Sequence, residues 1–369
     1  MRRGLTISYR STDRSGAVVK AAIITFLFMV FITLRAHAVP AENVVAPSPG
    51  EPQILILNAQ QMQDLESRAH AGEAEAQYLL GAACRTGGPL LAKDTAAAAQ
   101  WWRKAGLQGH SKAQNGLGYM YQNGVGVAQD FAQAAKWYRL AAEQGDAAAE
   151  NNLGNLYFAG NGVRRNYSAA FSWVAKAASQ GLAIAQHGVA LMYRYGKGTT
   201  RNLAQALDFY HQAALKGLPQ AQNELGSMYL EGQGVASNPA EAFRWFHLAA
   251  EKSLPDAENN LGYLYTTGKG TTRNYGEAFR WFSLAAQQGL ATAEVNLGAL
   301  YMNGRGVPLD YVQGYMWLSL AAAQGSRTAV TAKDNFRTIM TRGQLAAAEE
   351  RTAEWRREHS PESVANGGQ

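Results

Sequence analysis

Between residues 76 and 325 the apolar and small positions of this chain recur on one spacing. Trp101, Trp137, Trp173, Phe209, Trp245, Trp281 and Trp317 are each 36 residues apart. Gly118, Gly154, Ala190, Gly226, Gly262 and Gly298 keep the same spacing, as do Tyr121, Tyr157, Tyr193, Tyr229, Tyr265 and Tyr301. A fixed period of this length marks a stack of supersecondary units rather than one irregular core. Within a unit the pattern is helical. Ala149, Leu153 and Tyr157 fall at i, i+4 and i+8 on one stripe of a first helix, helix A. Gly160 and Gly162 stop it. A second helix, B, starts at Asp94, Asp130, Asn166, Asn202, Asn238, Asn274 or Asp310, side chains able to accept from the free N–H groups of a helix start. Gln133, Gln205, Glu241, Glu277 and Gln313 stand three residues later and predict a reciprocal capping box in those copies. Gly109, Gly145, Gly181, Gly217, Gly289 and Gly325 close helix B, while Ser253 occupies that place once. One such pair has too little apolar surface to fold by itself, so stacked neighbours must supply the core.

The ends depart from the period and divide the chain. Residues 1–38 carry a basic stretch, the apolar run from Ala21 to Leu34 and the small-x-small Ala36-His37-Ala38, the form of a cleaved signal peptide. Retained, the leader would be a membrane anchor. Residues 39–57, with Pro40, Pro47, Pro49 and Pro52, read as an extended linker. Residues 58–75 read as a capping helix, 76–325 as seven repeats, 326–359 as closing helices, and 360–369 as a disordered tail. These assignments predict a periplasmic or secreted bacterial protein, membrane-anchored if the leader stays.

Charge then narrows the function. The formal net charge is +6, but Arg2, Arg3, Arg10, Arg14, Lys20 and Arg35 face only Asp13 before Val39, which leaves about +1 on the rest. A nearly neutral body offers no phosphate-tracking stripe, which argues against nucleic acid. Cys84 is the only cysteine, so no internal disulfide is possible. It stands close to the position that later copies give to Tyr, as a small buried hydrophobe would.

The recurring A-x-x-x-L-G-x-x-Y-x-x-G-x-G, followed by D/N…A-x-x-W-x-x-x-A-A-x-x-G as in Ala257 to Gly289, resembles the Sel-one-like repeat, a longer cousin of the tetratricopeptide repeat. The resemblance implies an all-α fold, a right-handed α-solenoid of helix pairs that acts as a protein-interaction scaffold. It also implies export and a place in the bacterial envelope. Ala190 for Gly, Phe209 for Trp, and Thr199 and Thr271 for Val are mild departures.

No catalytic constellation is visible. H-E-x-x-H, G-x-S-x-G, S-x-x-K and phosphate-cradling loops are missing, and the Gly-x-Gly pairs lie between two helices without a preceding strand. The expectation is a non-enzyme with no cofactor and no metal. His211 and His247 are one period apart but other copies put Arg139, Ala175, Ser283 and Ser319 there, so a third ligand is lacking. A cell-wall- or glycan-directed enzyme or binding protein, or a membrane-tethered signalling adaptor, is the alternative.

Variation between copies locates a candidate surface. Opposite the Ala/Leu/Tyr stripe, at 100° per residue, helix A places Asn115, Tyr119, Asn151, Asn155, Phe158, His187, Leu191, Arg194, Asn223, Asn259 and Tyr263. In helix-pair solenoids this face is the concave one. Side-chain amides can pair with the backbone of an extended peptide, and aromatics supply anchoring area. The expected partner is a protein or peptide segment. Two roles stay open for the asparagine row: partner contact, or a ladder tying neighbouring copies together.

Overall fold

The structure, a computed structural model, describes residues 58–359; the signal-peptide, linker and tail expectations fall outside them. Seventeen α-helices and no strand occur among the described residues. The chain enters through α1 (Ala59–His70). Seven helix A/helix B pairs follow in order: α2 (Ala74–Thr86) with α3 (Thr95–Leu107), α4 (Ser111–Asn123) with α5 (Phe131–Glu143), and α6 (Ala147–Ala159) with α7 (Tyr167–Ser179). Next come α8 (Ala183–Tyr195) and α9 (Leu203–Leu215), α10 (Pro219–Glu231) and α11 (Pro239–Ala250), α12 (Pro255–Thr267) and α13 (Tyr275–Gln287), then α14 (Ala291–Asn303) and α15 (Tyr311–Ala323). Two further helices, α16 (Arg327–Arg337) and α17 (Arg342–Glu358), end the described part. Helices α1 to α10 form one compact unit and α11 to α17, from Pro239 onward, form another. The architecture is an all-α solenoid: within each unit consecutive helices from α1 to α10 and from α11 to α16 pack in turn, and α17 packs on α15.

Local chemistry sets the helix ends. The side chains of Asp94, Asp130, Asn166, Asn202, Asn274 and Asp310 each accept a backbone N–H from the first turn of helix B. The reciprocal bond expected from Gln133, Gln205, Glu277 and Gln313 is not made in those four copies; it forms at Asn58 with Gln61 and at Thr341 with Gln344. The reason is a competing acceptor. The N–H of the cap residue is already donated across the turn to the recurring tyrosine of helix A: Asp130 to the Tyr121 carbonyl at 2.9 Å, Asn166 to Tyr157 at 2.9 Å and Asp310 to Tyr301 at 3.0 Å. In the first copy Asp94 donates to the Cys84 carbonyl at 2.7 Å, so Cys84 does stand in the tyrosine position. Freed from the cap, Glu277 accepts from Arg280 at 3.2 Å instead.

The second glycine of each Gly-x-Gly turn is a joint between copies. Gly198 has φ +76°, and a Cβ placed there would lie 2.0 Å from the Tyr167 carbonyl oxygen at the start of the preceding helix B. Gly126, Gly162, Gly270 and Gly306 meet the equivalent backbone equally closely. Only glycine allows both the left-handed conformation and the approach.

The core also differs in one respect from the sequence pattern. Trp137, Trp281 and Trp317 are buried, but Trp101, Trp173, Phe209 and Trp245 are only half-buried. The innermost side chain of helix B is the next residue: Tyr138, Val174, Tyr210, Phe246, Phe282 and Leu318. Tyr138, Val174, Phe282 and Leu318 press on the small position of helix A, where a Cβ on Gly118 would stand 2.6 Å from the Tyr138 ring and one on Gly262 2.7 Å from Phe282. Trp137 and Trp281 instead lean on the preceding helix B: the Trp137 ring lies over Gly106, and Trp281 meets His247 edge-on at 6.0 Å between centroids. At the C-terminal end α17 covers α15, with Trp355 and Trp317 edge to face at 4.7 Å.

Candidate functional site

On helix A, the residues directly after the leading alanine of each copy form a buried polar row: Gln77, Gln114, Glu150, Gln186, Gln222, Glu258 and Glu294. Where the residue is glutamine, its amide Nε2 donates to a carbonyl at the end of the preceding helix B. Gln77 reaches Ala69 at 3.1 Å, Gln114 reaches Gly106 at 2.8 Å and Gln222 reaches Ala214 at 3.1 Å. Where it is glutamate no donor exists, and the carboxylate accepts from a glutamine at the end of its own helix B. Gln180 serves Glu150 at 2.8 Å, Gln288 serves Glu258 at 2.8 Å and Gln324 serves Glu294 at 3.0 Å. Burial raises the pKa of all three acids against the opposing effect of these bonds, and Glu294 is pushed up to about 7. This row holds the copies in register. Its period is visible in the sequence, though its burial is not.

The next residue along begins the proposed interaction face. Asn115 and Asn151 are 2% exposed. Asn152 of the following copy donates its amide to the Asn115 side-chain oxygen at 3.1 Å, and Asn296 does the same for Asn259 at 2.8 Å. Two rungs of an asparagine ladder therefore exist, one in each compact unit. The rung donors, one position further along helix A, were not among the candidates. His187 takes the asparagine place in its copy, buried with its ring 5.6 Å from that of Tyr210, and burial alone lowers its pKa to about 4, so it is neutral. Arg194 is buried in an ion pair with Glu224, and its carbonyl accepts from the Arg201 Nε at 3.1 Å. Tyr263 is buried with its hydroxyl 3.2 Å from the Lys269 Nζ.

The remaining candidates reach solvent. Tyr119, Asn155, Phe158, Leu191, Asn223 and Asn259 are half-buried, so part of each side chain is open while the base is held. Phe158 meets the Tyr167 ring edge-on at 5.0 Å. Within the first unit the face is thus a buried polar floor carrying partly open amides and apolar groups, chemistry suited to non-covalent contact with a polypeptide. A second feature that periodicity obscures lies at its edge: the turns of neighbouring copies bring Arg164, Arg165, Lys197 and Arg201 to the rim, all exposed.

Other chemistry-bearing residues are placed differently. Among the described residues no group of three or more His, Cys, Asp or Glu side chains is arranged to hold a metal ion. His247 pairs with Glu251 at 3.4 Å. Cys84 is buried and its thiol pKa is raised, which keeps it protonated. No described helix is long and apolar enough to cross a membrane.

The fold and this face define a repeat scaffold built from helix pairs. Seven consecutive segments, 74–110, 111–146, 147–182, 183–218, 219–254, 255–290 and 291–326, match the Sel1 repeat, and the chain belongs to the Sel1 repeat family. Such proteins are generally non-catalytic scaffolds, commonly of protein–protein interaction. Among solved structures, the chain is similar to a Sel1 repeat protein from Oxalobacter formigenes, with 32% identity and a TM-score of 0.57 over 61% of this chain and 90% of that one. It is also similar to a protective antigen of uropathogenic Escherichia coli displaying an SLR fold, with 27% identity and a TM-score of 0.47 over 83% of this chain and 89% of that one. Among proteins of curated function, none matches the chain.

Proposed function

We propose that this protein is an exported, non-enzymatic scaffold of the bacterial envelope that holds a segment of another protein on its helix-A face. The observation that carries the reading is the half-open row of Tyr119, Asn155, Phe158, Leu191 and Asn223 above a buried polar floor. Side chains anchored at the base lose little entropy on binding, so their amides and rings are already positioned for a partner. Asn115, Asn151, His187 and Arg194 shape the floor from beneath in the first unit, and in the second Tyr263 is buried while Asn259 offers the open edge of its rung. Export is supported by the leader, whose apolar run and Ala36-His37-Ala38 fit a mature start near Val39.

The test is photo-crosslinking of the full chain in an envelope fraction, followed by peptide mapping. Wild type should yield a defined partner segment, and Tyr119→Ala combined with Leu191→Ala should lose it with helicity unchanged. Undiminished crosslinking by that variant would sink the assignment of the face. Amino-terminal sequencing of the exported protein should begin at or near Val39.

A further inference from the structure

The two turns that carry Arg164, Arg165, Lys197 and Arg201 are brought together by the joint described above. Gly198 lies against the first residue of α7, and so delivers Lys197 from one copy to the Tyr167 ring of the copy before. The Lys197 ammonium stands 5.3 Å from the centre of that ring and the Arg165 guanidinium 5.8 Å from the same centre. Tyr167 in turn abuts Phe158 on the candidate face. Among the described residues none of the four cations forms an ion pair, and Arg201 is steadied only by the Arg194 carbonyl.

This concentration is uneven for a chain whose charge outside the leader nearly cancels. Gathering like charges with no counter-charge is unfavourable, and the favourable complement is an anion from outside. The patch is also narrow. Within residues 36–238, the preceding turn (124–130) and the following one (232–238) contain no Lys or Arg, and Glu231 borders the latter. A membrane surface would be matched by a broad basic plane. A short bounded cluster beside two aromatic rings matches a polypeptide, whose carboxylates can space at ~3.3 Å per residue along an extended strand.

We propose that the segment held by this face is acidic and carries an aromatic or large apolar residue, with its carboxylates on Arg164, Arg165, Lys197 and Arg201 and its apolar side chain against Phe158 and Tyr167. The inference rests on the segment-binding reading and refines its partner. The experiment uses the full chain and a short fluorescein-labelled peptide alternating Glu and Gly around one Phe, with its Gln-for-Glu counterpart, read by fluorescence anisotropy. The acidic peptide should bind at least ~10-fold more tightly, and that preference should shrink as salt rises from ~0.05 to ~0.3 M. Arg165→Glu combined with Lys197→Glu, both exposed and so harmless to the fold, should abolish the preference while thermal unfolding stays the same. Tyr167→Ala should weaken binding of the Phe-containing peptide more than that of an all-Gly/Glu version. Equal affinity for the two labelled peptides, or a preference that survives charge reversal, overturns the proposal. So does sedimentation with phosphatidylglycerol vesicles that depends on Arg165 and Lys197 in a chain indifferent to the acidic peptide. A chain with no charge preference that still loses its crosslinked partner through Tyr119→Ala and Leu191→Ala keeps the segment-binding reading and loses only this one.

Discussion

Glu294 offers a sharp test of how the copies are held together. Its carboxyl is 2% exposed and occupies a place that glutamine fills in four other copies, donating there to a backbone carbonyl. An ionised carboxylate cannot make that bond, and burial raises its pKa from 4.5 to about 7. Between those two pH values the folded state binds more protons than the unfolded one. Stability is therefore fully present at and below pH 4.5 and is lost as pH rises through 7. At ~1.4 kcal/mol per pKa unit the loss is at most ~3.5 kcal/mol. Glu294→Gln restores the missing donor, toward the Ala286 carbonyl that corresponds to Gly106 and Ala214, and keeps an acceptor for Gln324. Urea unfolding followed by circular dichroism at pH 4.5 and pH 8 measures the effect. The variant should match wild type at the lower pH and exceed it by ~2–3 kcal/mol at the higher. If Glu294→Gln leaves the difference between the two pH values unchanged, or lowers stability at both, the carboxyl is not the strained member of the row and the reasoning fails.

Three further outcomes follow from the packing. Ser253 is the one described non-glycine residue with positive φ, 56°, at the place where other copies have glycine, so Ser253→Gly should raise stability by ~1 kcal/mol in the same unfolding assay. Gly198→Ala forces a Cβ onto the Tyr167 carbonyl and should cost ~3 kcal/mol or more; it should also reduce amide-exchange protection in α7 and α8 before other helices. Phe282→Ala, at the innermost position of helix B, should cost ~3–5 kcal/mol, and Trp173→Ala, half-exposed, markedly less, even though tryptophan marks the repeat.

Much of the architecture was legible in the sequence because repetition turns weak local signals into a strong one. Cap residues, glycine stops and the alanine-leucine stripe recur at one spacing, and each is a local requirement of a helix start, a helix end or a buried face. Four of the expected capping boxes do not form, for an equally local reason: the sequence shows that Gln133 or Glu277 could reach back to the cap N–H, but not that a tyrosine carbonyl from the previous helix already holds it. The candidate face was legible as a row of variable positions. Its division into buried rungs and open groups was not, since Asn115 acquires its partner from Asn152, in the next copy.

Taken alone, the order of residues determined the period, the helix pairs, the placement of their ends and the family. Which of two adjacent side chains goes innermost was decided only in three dimensions. Trp137 and Tyr138 sit 100° apart on the same broad apolar face, and nothing in one helix ranks them. Gly118 on the partnering helix does, because it leaves a hollow that Tyr138 fills while Trp137 turns toward the neighbouring copy. The basic rim arose in the same way: Arg165 and Lys197 are far apart along the chain, and a glycine that tolerates close backbone contact places them beside one ring.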